Sequence, residues 1–167
     1  AATLFAVNFL GMRHLTESMF ERINPGGSIV VVSSTAGFQW AQRLDLHREV
    51  IATETFAEGA AWFRDHPQTD NAYNFSKEAA TVYTMAMGGA VRELGELRIN
   101  AILPGPVETP ILADFEESMG KETLDGVRAF LGRHAEAEDI ALPIVFLAGR
   151  ESHWINGATL VADGGIT

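Results

Sequence analysis

The sequence predicts an α/β fold built on a doubly wound parallel sheet. Short β-branched runs alternate with segments of helical periodicity, so the chain reads helix, strand, helix, strand, helix, strand. Polar and glycine-rich punctuation falls where the strands stop: Ser33-Ser34, Pro104-Gly105 and Asp163-Gly164-Gly165. In such sheets ligands sit beyond the carboxyl ends of the strands.

Residues 4 to 22 place Phe5, Phe9, Met12, Leu15 and Met19 at helical spacing, and Pro25-Gly26-Gly27 then breaks the chain. SIVVVSS (28–34) is a continuous apolar run, the pattern of a strand buried on both faces. The excursion from 38 to 69 contains one expected helix, TFAEGAAWFRDHP, with Thr55 and Glu58 as a capping box and Pro67 after its end. A long helix is expected over 71–94, then a strand, LRINAIL (97–103), stopped by Pro104-Gly105-Pro106. Ile111, Leu112, Phe115, Met119, Val127 and Phe130 give 111–133 the pattern of one or two amphipathic helices. AEAEDIALPIVFLAG (135–149) is a further helix that Pro143 should weaken or kink. NGATLVADGG closes the pattern with a strand and a glycine turn.

Composition bounds the function. The chain has 167 residues, enough for one domain with a sizeable core, and 47% of them are apolar. A formal charge of −10 argues against a nucleic-acid surface. No apolar run approaches a membrane span, and the absence of cysteine removes disulfide and thiolate chemistry. A cytoplasmic protein is the expectation.

Tyr73 and Lys77 stand four residues apart on the long helix, hence on one face. Ser34 ends the preceding strand, and Asn8 lies on the helix before it. This set suits hydride transfer to or from a carbonyl. A phenol can protonate the developing alkoxide, a nearby ammonium can lower the phenol's pKa, and a serine hydroxyl can hold the substrate oxygen.

VNFLG, GGSIVVVSSTAG, YNFSK, RINAILPGPVETP and INGATLVADGG occur in the order found in the short-chain dehydrogenase/reductase family, which the chain resembles from Asn8 onward. The resemblance implies a Rossmann-like domain using NAD, with NADP not excluded. It implies Tyr73 as catalytic acid/base, Lys77 as its pKa partner and ribose contact, Ser34 as substrate positioner, and Asn8 as holder of a relay water. Ser33 is the competing serine. Val107 and Thr109 would meet the nicotinamide carboxamide, with Pro104 and Gly105 shaping the turn. The implied substrate is a hydrophobic alcohol or ketone/aldehyde, and the implied assembly is a homo-oligomer.

Two features depart from the family pattern. Ser34 and Tyr73 stand 39 positions apart (73 − 34), where the family usually leaves about a dozen. The insert, 38–69, resembles that of the branch containing bacterial coniferyl alcohol dehydrogenase and 3α-hydroxysteroid dehydrogenase/carbonyl reductase. It should cover the helix face that builds a tetramer elsewhere in the family, leaving a dimer formed near the last helix and strand. The family's glycine-rich cofactor turn, G-x-x-x-G-x-G, does not occur in these residues. The expectation is that 1–167 is the C-terminal part of one Rossmann domain, with about 80 residues of its first half missing. On its own, such a polypeptide should neither bind NAD(H) nor transfer hydride.

The remaining candidates are blander. His47 reads as a surface residue rather than a substrate contact, and His14, His66, His134 and His153 lack metal-ligand spacing, so no metal is expected. Glu116-Glu117 and Glu136, Glu138 and Asp139 read as solvated helix faces or helix-dipole partners. Trp40, Trp62 and Phe63 either wall a substrate pocket or pack the insert, with packing favoured. The 111–133 stretch is placed to cover an apolar substrate. A non-catalytic dinucleotide-binding or scaffold protein is the alternative function. A Ser34 hydrolase lacks a nucleophile elbow and a placed histidine.

Overall fold

Three parallel strands make one sheet in the order β1 (Ser28–Val32), β2 (Arg98–Pro104), β3 (Thr159–Ala162). The computed structural model describes residues 1–66, 72–112 and 120–167. Pro67, Phe115, Glu116, Glu117 and Met119 lie outside the described residues, as do the end of the insert and part of the 111–133 segment. Ser28 pairs with Arg98 and Val32 with Ile102, while Ala101 pairs with Thr159 and Pro104 with Ala162. β2 sits between the other two and is buried along its whole length. The 28–34 run forms a strand, open along one side as expected for a sheet whose first half is missing. β1 lies at an edge of the sheet, so Ile29 and Val30 are only half-buried and Val32 is 50% exposed. The doubly covered strand is β2.

The first helical rod is also more irregular than its periodicity suggests. α1 (Ala2–Phe5) runs into a π-helical stretch, Ala6–Gly11, and on into α2 (Met12–Met19). A π turn takes up an extra residue and re-aims everything after it. Phe5 and Phe9 are buried as expected, but Arg13 and Thr16 continue their stripe while Leu15 and Met19 stay exposed. The Arg13 guanidinium donates to the carbonyl oxygens of Val50, Thr53 and Thr55, fastening the insert to the rod.

The insert holds a 3₁₀ turn (Trp40–Arg43) and two helices, α3 (Leu44–Ile51) and α4 (Phe56–Asp65). The capping box forms: Thr55 Oγ1 accepts from the Glu58 N–H, and the Glu58 carboxylate accepts from the Thr55 N–H. α3 escapes a periodicity reading because half of its buried face is a histidine, His47, beside Val50. Phe63 is 3% exposed and stacks on Phe5 with centroids 4.2 Å apart. Trp62 stacks on Phe75 at 6.0 Å and donates to Glu49. Both residues therefore pack the insert onto the core.

α5 (Ala72–Glu93) lies against β2 and carries the core residues Phe75, Ala79 and Tyr83. After β2 come α6 (Lys121–Leu131) and α7 (Ala137–Ala148), the latter running through Pro143. No helix among the described residues is long and apolar enough to cross a membrane.

The turn after β1 docks on α5 at glycine distance. A Cβ on Gly37 would stand 2.7 Å from the Lys77 carbonyl oxygen and 2.8 Å from Thr81 Oγ1. Gly37→Ala should therefore force the turn off α5. The overpacking cost is about 1–3 kcal/mol, and urea unfolding of the intact protein should show it as a lowered midpoint at unchanged slope.

Candidate active site

The carboxyl end of β1 and the first turns of α5 bring the predicted residues together. Ser34 is the N-cap of a 3₁₀ turn (Thr35–Gly37), and its Oγ accepts from the Ala36 N–H at 3.1 Å. Its side chain also hydrogen-bonds the Tyr73 hydroxyl across the gap to α5. Lys77 lies one turn along that helix, with Nζ 5.8 Å from the centroid of the Tyr73 ring. Nζ donates to the Val32 carbonyl oxygen at 3.1 Å, which spends one of its three protons. Asn8 sits on the π-helical stretch, an irregularity that recurs at functional sites. Its Nδ2 donates to Ser76 Oγ at 3.3 Å, and Ser76 in turn donates to the Tyr73 carbonyl oxygen at 2.7 Å.

Electrostatics set the protonation states. Burial pushes the Tyr73 phenol above its ordinary pKa, and the Ser34 hydrogen bond pulls the other way without cancelling it. Burial also pushes the Lys77 ammonium below its ordinary pKa. The phenol is thus raised, not lowered as the Tyr73–Lys77 spacing suggests, because desolvation dominates, and Tyr73 rests as the neutral, proton-bearing acid.

The two serines differ in what they contact. Ser33 is 3% exposed, with Oγ 2.8 Å from the Lys77 carbonyl oxygen and 2.9 Å from Thr81 Oγ1. It points into the contact between the turn and α5, whereas Ser34 points to Tyr73.

The second half of the site is the loop after β2. Gly105 donates to the Ala162 carbonyl oxygen at 3.1 Å, and a Cβ there would stand 2.9 Å from the Asp163 Cβ. The ends of β2 and β3 thus meet as only glycine allows. Asp163 accepts from the Gly165 and Thr167 N–H groups and fixes the closing turn. Val107 bridges to Ala135, and Thr109 Oγ1 donates to the Val107 carbonyl oxygen at 3.3 Å. Arg133 forms a two-pronged pair with Asp139, at 2.6 and 3.1 Å, beside the start of α7.

Sequence reasoning missed a buried ionic cluster next to Lys77. Glu78 accepts from Arg43 through both carboxylate oxygens, at 2.8 and 2.9 Å, and pairs with His47 Nε2 at 2.9 Å. His47 is completely buried, which corrects its assignment to the surface. Burial alone would raise the Glu78 pKa, but the His47 and Arg43 contacts outweigh it and hold the carboxyl below its ordinary range. The available signal was a glutamate inside an otherwise apolar and small-residue helix segment, facing an insert that carries its counter-charges.

The chain matches known proteins over nearly its whole length. Residues 60–167 match the profile of a family described as enoyl-(acyl carrier protein) reductase. A coniferyl-alcohol dehydrogenase from a Pseudomonas species is 40% identical over 96% of this chain. A 3-alpha-hydroxysteroid dehydrogenase/carbonyl reductase from Comamonas testosteroni is 33% identical over 96%. The chain spans 63% and 64% of those two proteins' lengths. The structure superposes on the 3-alpha-hydroxysteroid dehydrogenase of another Pseudomonas strain, solved with NADH, with a TM-score of 0.80 and 30% identity. That match covers 97% of this chain and 65% of the other.

Arg43→Ala should leave the Glu78 charge buried without its main partner. Removing one member of a buried pair costs about 3–5 kcal/mol, measurable by urea unfolding at neutral pH. Because Glu78 is depressed in the folded state, the cluster's stabilisation is present above the unfolded carboxylate pKa and fades as pH falls through the folded one. The difference between variant and wild type should therefore shrink in acid.

Proposed function

The chain belongs to the short-chain dehydrogenase/reductase family, and we propose that the protein transfers hydride between a nicotinamide cofactor and a hydrophobic alcohol/carbonyl pair. The observation that carries this reading is the hydrogen bond between Ser34 and Tyr73 with Lys77 on the same helical face. Residues 1–167 act as part of one dinucleotide-binding domain, with 38–69 as an insert and 111–133 as a cover over the substrate.

The residues present fit the cofactor on their own chemistry. Lys77 keeps two protons for ribose hydroxyls after its bond to Val32. The glycine contact at Gly105 keeps the loop carrying Val107 and Thr109 close to the strand ends. NAD is the cofactor we propose, with NADP as the alternative. A bound nicotinamide would supply or accept the hydride.

The chain's own groups handle the proton. In the reducing direction the Tyr73 O–H gives its proton to the substrate oxygen as that oxygen becomes an alkoxide. The raised phenol pKa keeps the proton available until then. Ser34 donates to the same oxygen and sets its distance from Tyr73. The Lys77 ammonium offsets the charge left on the phenolate, and Asn8 holds a water that returns the proton from solvent. In oxidation each transfer runs backwards.

The substrate class we propose is an aryl alcohol or hydroxysteroid, by analogy with the coniferyl alcohol and hydroxysteroid named for the two relatives above. A nicotinamide-dependent reaction of this kind fits a cytoplasmic protein. A second copy docks on α7 and the segment after it, where Leu142, Val145, Phe146 and Trp154 are exposed. The insert, pinned over Glu78, occupies the α5 face instead.

Tyr73→Phe in the intact protein should lower kcat by about 10²–10⁴-fold while NADH binding, read by fluorescence, persists. Turnover near wild type would refute the assigned acid. Light scattering should give a dimer that Leu142→Asp converts to a monomer, and a tetramer joined through α5 would contradict the proposed docking face.

A further inference from the structure

His134 makes two hydrogen bonds that a neutral imidazole cannot make together. Its Nε2 lies 3.0 Å from the carbonyl oxygen of Leu124, inside α6, and its Nδ1 lies 3.1 Å from Glu108 Oε1. A backbone carbonyl has no proton to give, and neither has an ionised carboxylate. Both ring nitrogens must therefore donate, so the arrangement requires the imidazolium. The ring is buried, with His134 at 5% exposure, so water does not readily replace a lost partner.

The position of this bridge gives it consequence. Glu108 stands between Val107 and Thr109, and its N–H donates to the Ala135 carbonyl oxygen at 2.8 Å. The Ala135 N–H donates back to the Pro106 carbonyl oxygen at 3.1 Å. Backbone pairing thus joins the 106–108 segment to the chain just after His134, and the imidazolium adds a side-chain tie from Glu108 to α6. The charged groups around it are Glu108 on the loop, Asp125 and Arg128 on α6, and Arg133 with its partner Asp139 at the start of α7. Glu108, Asp125 and Arg128 line the same pocket as His134, while Arg133 and Asp139 neutralise each other.

We propose that His134 is a positioning residue for the 104–109 loop, holding Glu108 to α6 as an imidazolium and thereby fixing the backbone beside Val107 and Thr109. This rests on the reading of that loop as the nicotinamide contact. When His134 gives up a proton to solvent, one of its two bonds must break. The loop is then tied to α6 less firmly, and cofactor affinity falls as pH rises.

Glu108→Gln isolates the effect. A carboxamide can donate to a bare Nδ1, so a neutral His134 keeps Nε2–H for the Leu124 carbonyl and the bridge survives without the extra proton. NADH affinity is measured by fluorescence titration of the intact protein in mildly acidic and in mildly alkaline buffer. Wild type should lose about 5–10-fold in affinity at the higher pH, the worth of one hydrogen bond. Glu108→Gln should stay within about twofold across the same interval, and His134→Gln should bind weakly at both. Circular dichroism confirms that each variant is folded. A Glu108→Gln protein that keeps the wild-type pH response overturns the proposal, as does a folded His134→Gln protein that binds as tightly as wild type in acid. Wild type that fails to bind NADH at either pH overturns the functional reading itself.

Discussion

One backbone oxygen governs the site. The Lys77 carbonyl is met by the Ser33 and Thr81 hydroxyls at 2.8 and 2.9 Å, and Gly37 packs against it with no room for a side chain. These contacts bolt the end of β1 to α5 at one height. Ser34 follows Ser33 directly, so fixing Ser33 against the Lys77 carbonyl also fixes Ser34 relative to Tyr73, one helical turn earlier. A hydroxyl pair and a glycine thus translate strand position into active-site geometry. The tight approach leaves no slack for register shifts, because interiors this dense respond to single methyl groups.

The insert buttresses the same helix from the other side. Arg13 grips the end of α3, Phe63 stacks in the aromatic core, and Arg43 with His47 neutralises Glu78 next to Lys77. Buried ion pairs contribute little net stability, since desolvation offsets their attraction. Their value here is geometric: a carboxylate so deeply placed accepts only the one arrangement of Arg43 and His47 that satisfies it. α5 is thereby clamped between a strand end and an insert, with Tyr73 and Lys77 on its remaining open face.

Much of this was legible in the sequence, for identifiable reasons. The β-branched runs, the Thr55/Glu58 cap and the Tyr73–Lys77 spacing are local patterns, and each appears in the structure where the pattern put it. What escaped depends on tertiary placement. The π-helical stretch re-aimed α2 without any composition signal, and α3 was hidden because its buried face includes His47. The Tyr73 phenol is pushed up rather than down because burial, a property of packing that sequence spacing does not report, outweighs the Ser34 hydrogen bond. His134 looked idle in the sequence because its partners, Glu108 and Leu124, come from separate segments.

In the proposed reaction the Ser34–Tyr73–Lys77 face moves a proton while hydride passes directly between substrate carbon and nicotinamide. Isotope transfer tests it most directly. The intact protein would be incubated with NAD and either an aryl alcohol or a hydroxysteroid deuterated at the carbinol carbon, and the recovered cofactor examined by mass spectrometry. Deuterium is expected at C4 of the nicotinamide, on one face only, from at least one of the two substrates. Oxidised product accompanied by unlabelled reduced cofactor, or no reduced cofactor from either substrate, would contradict it.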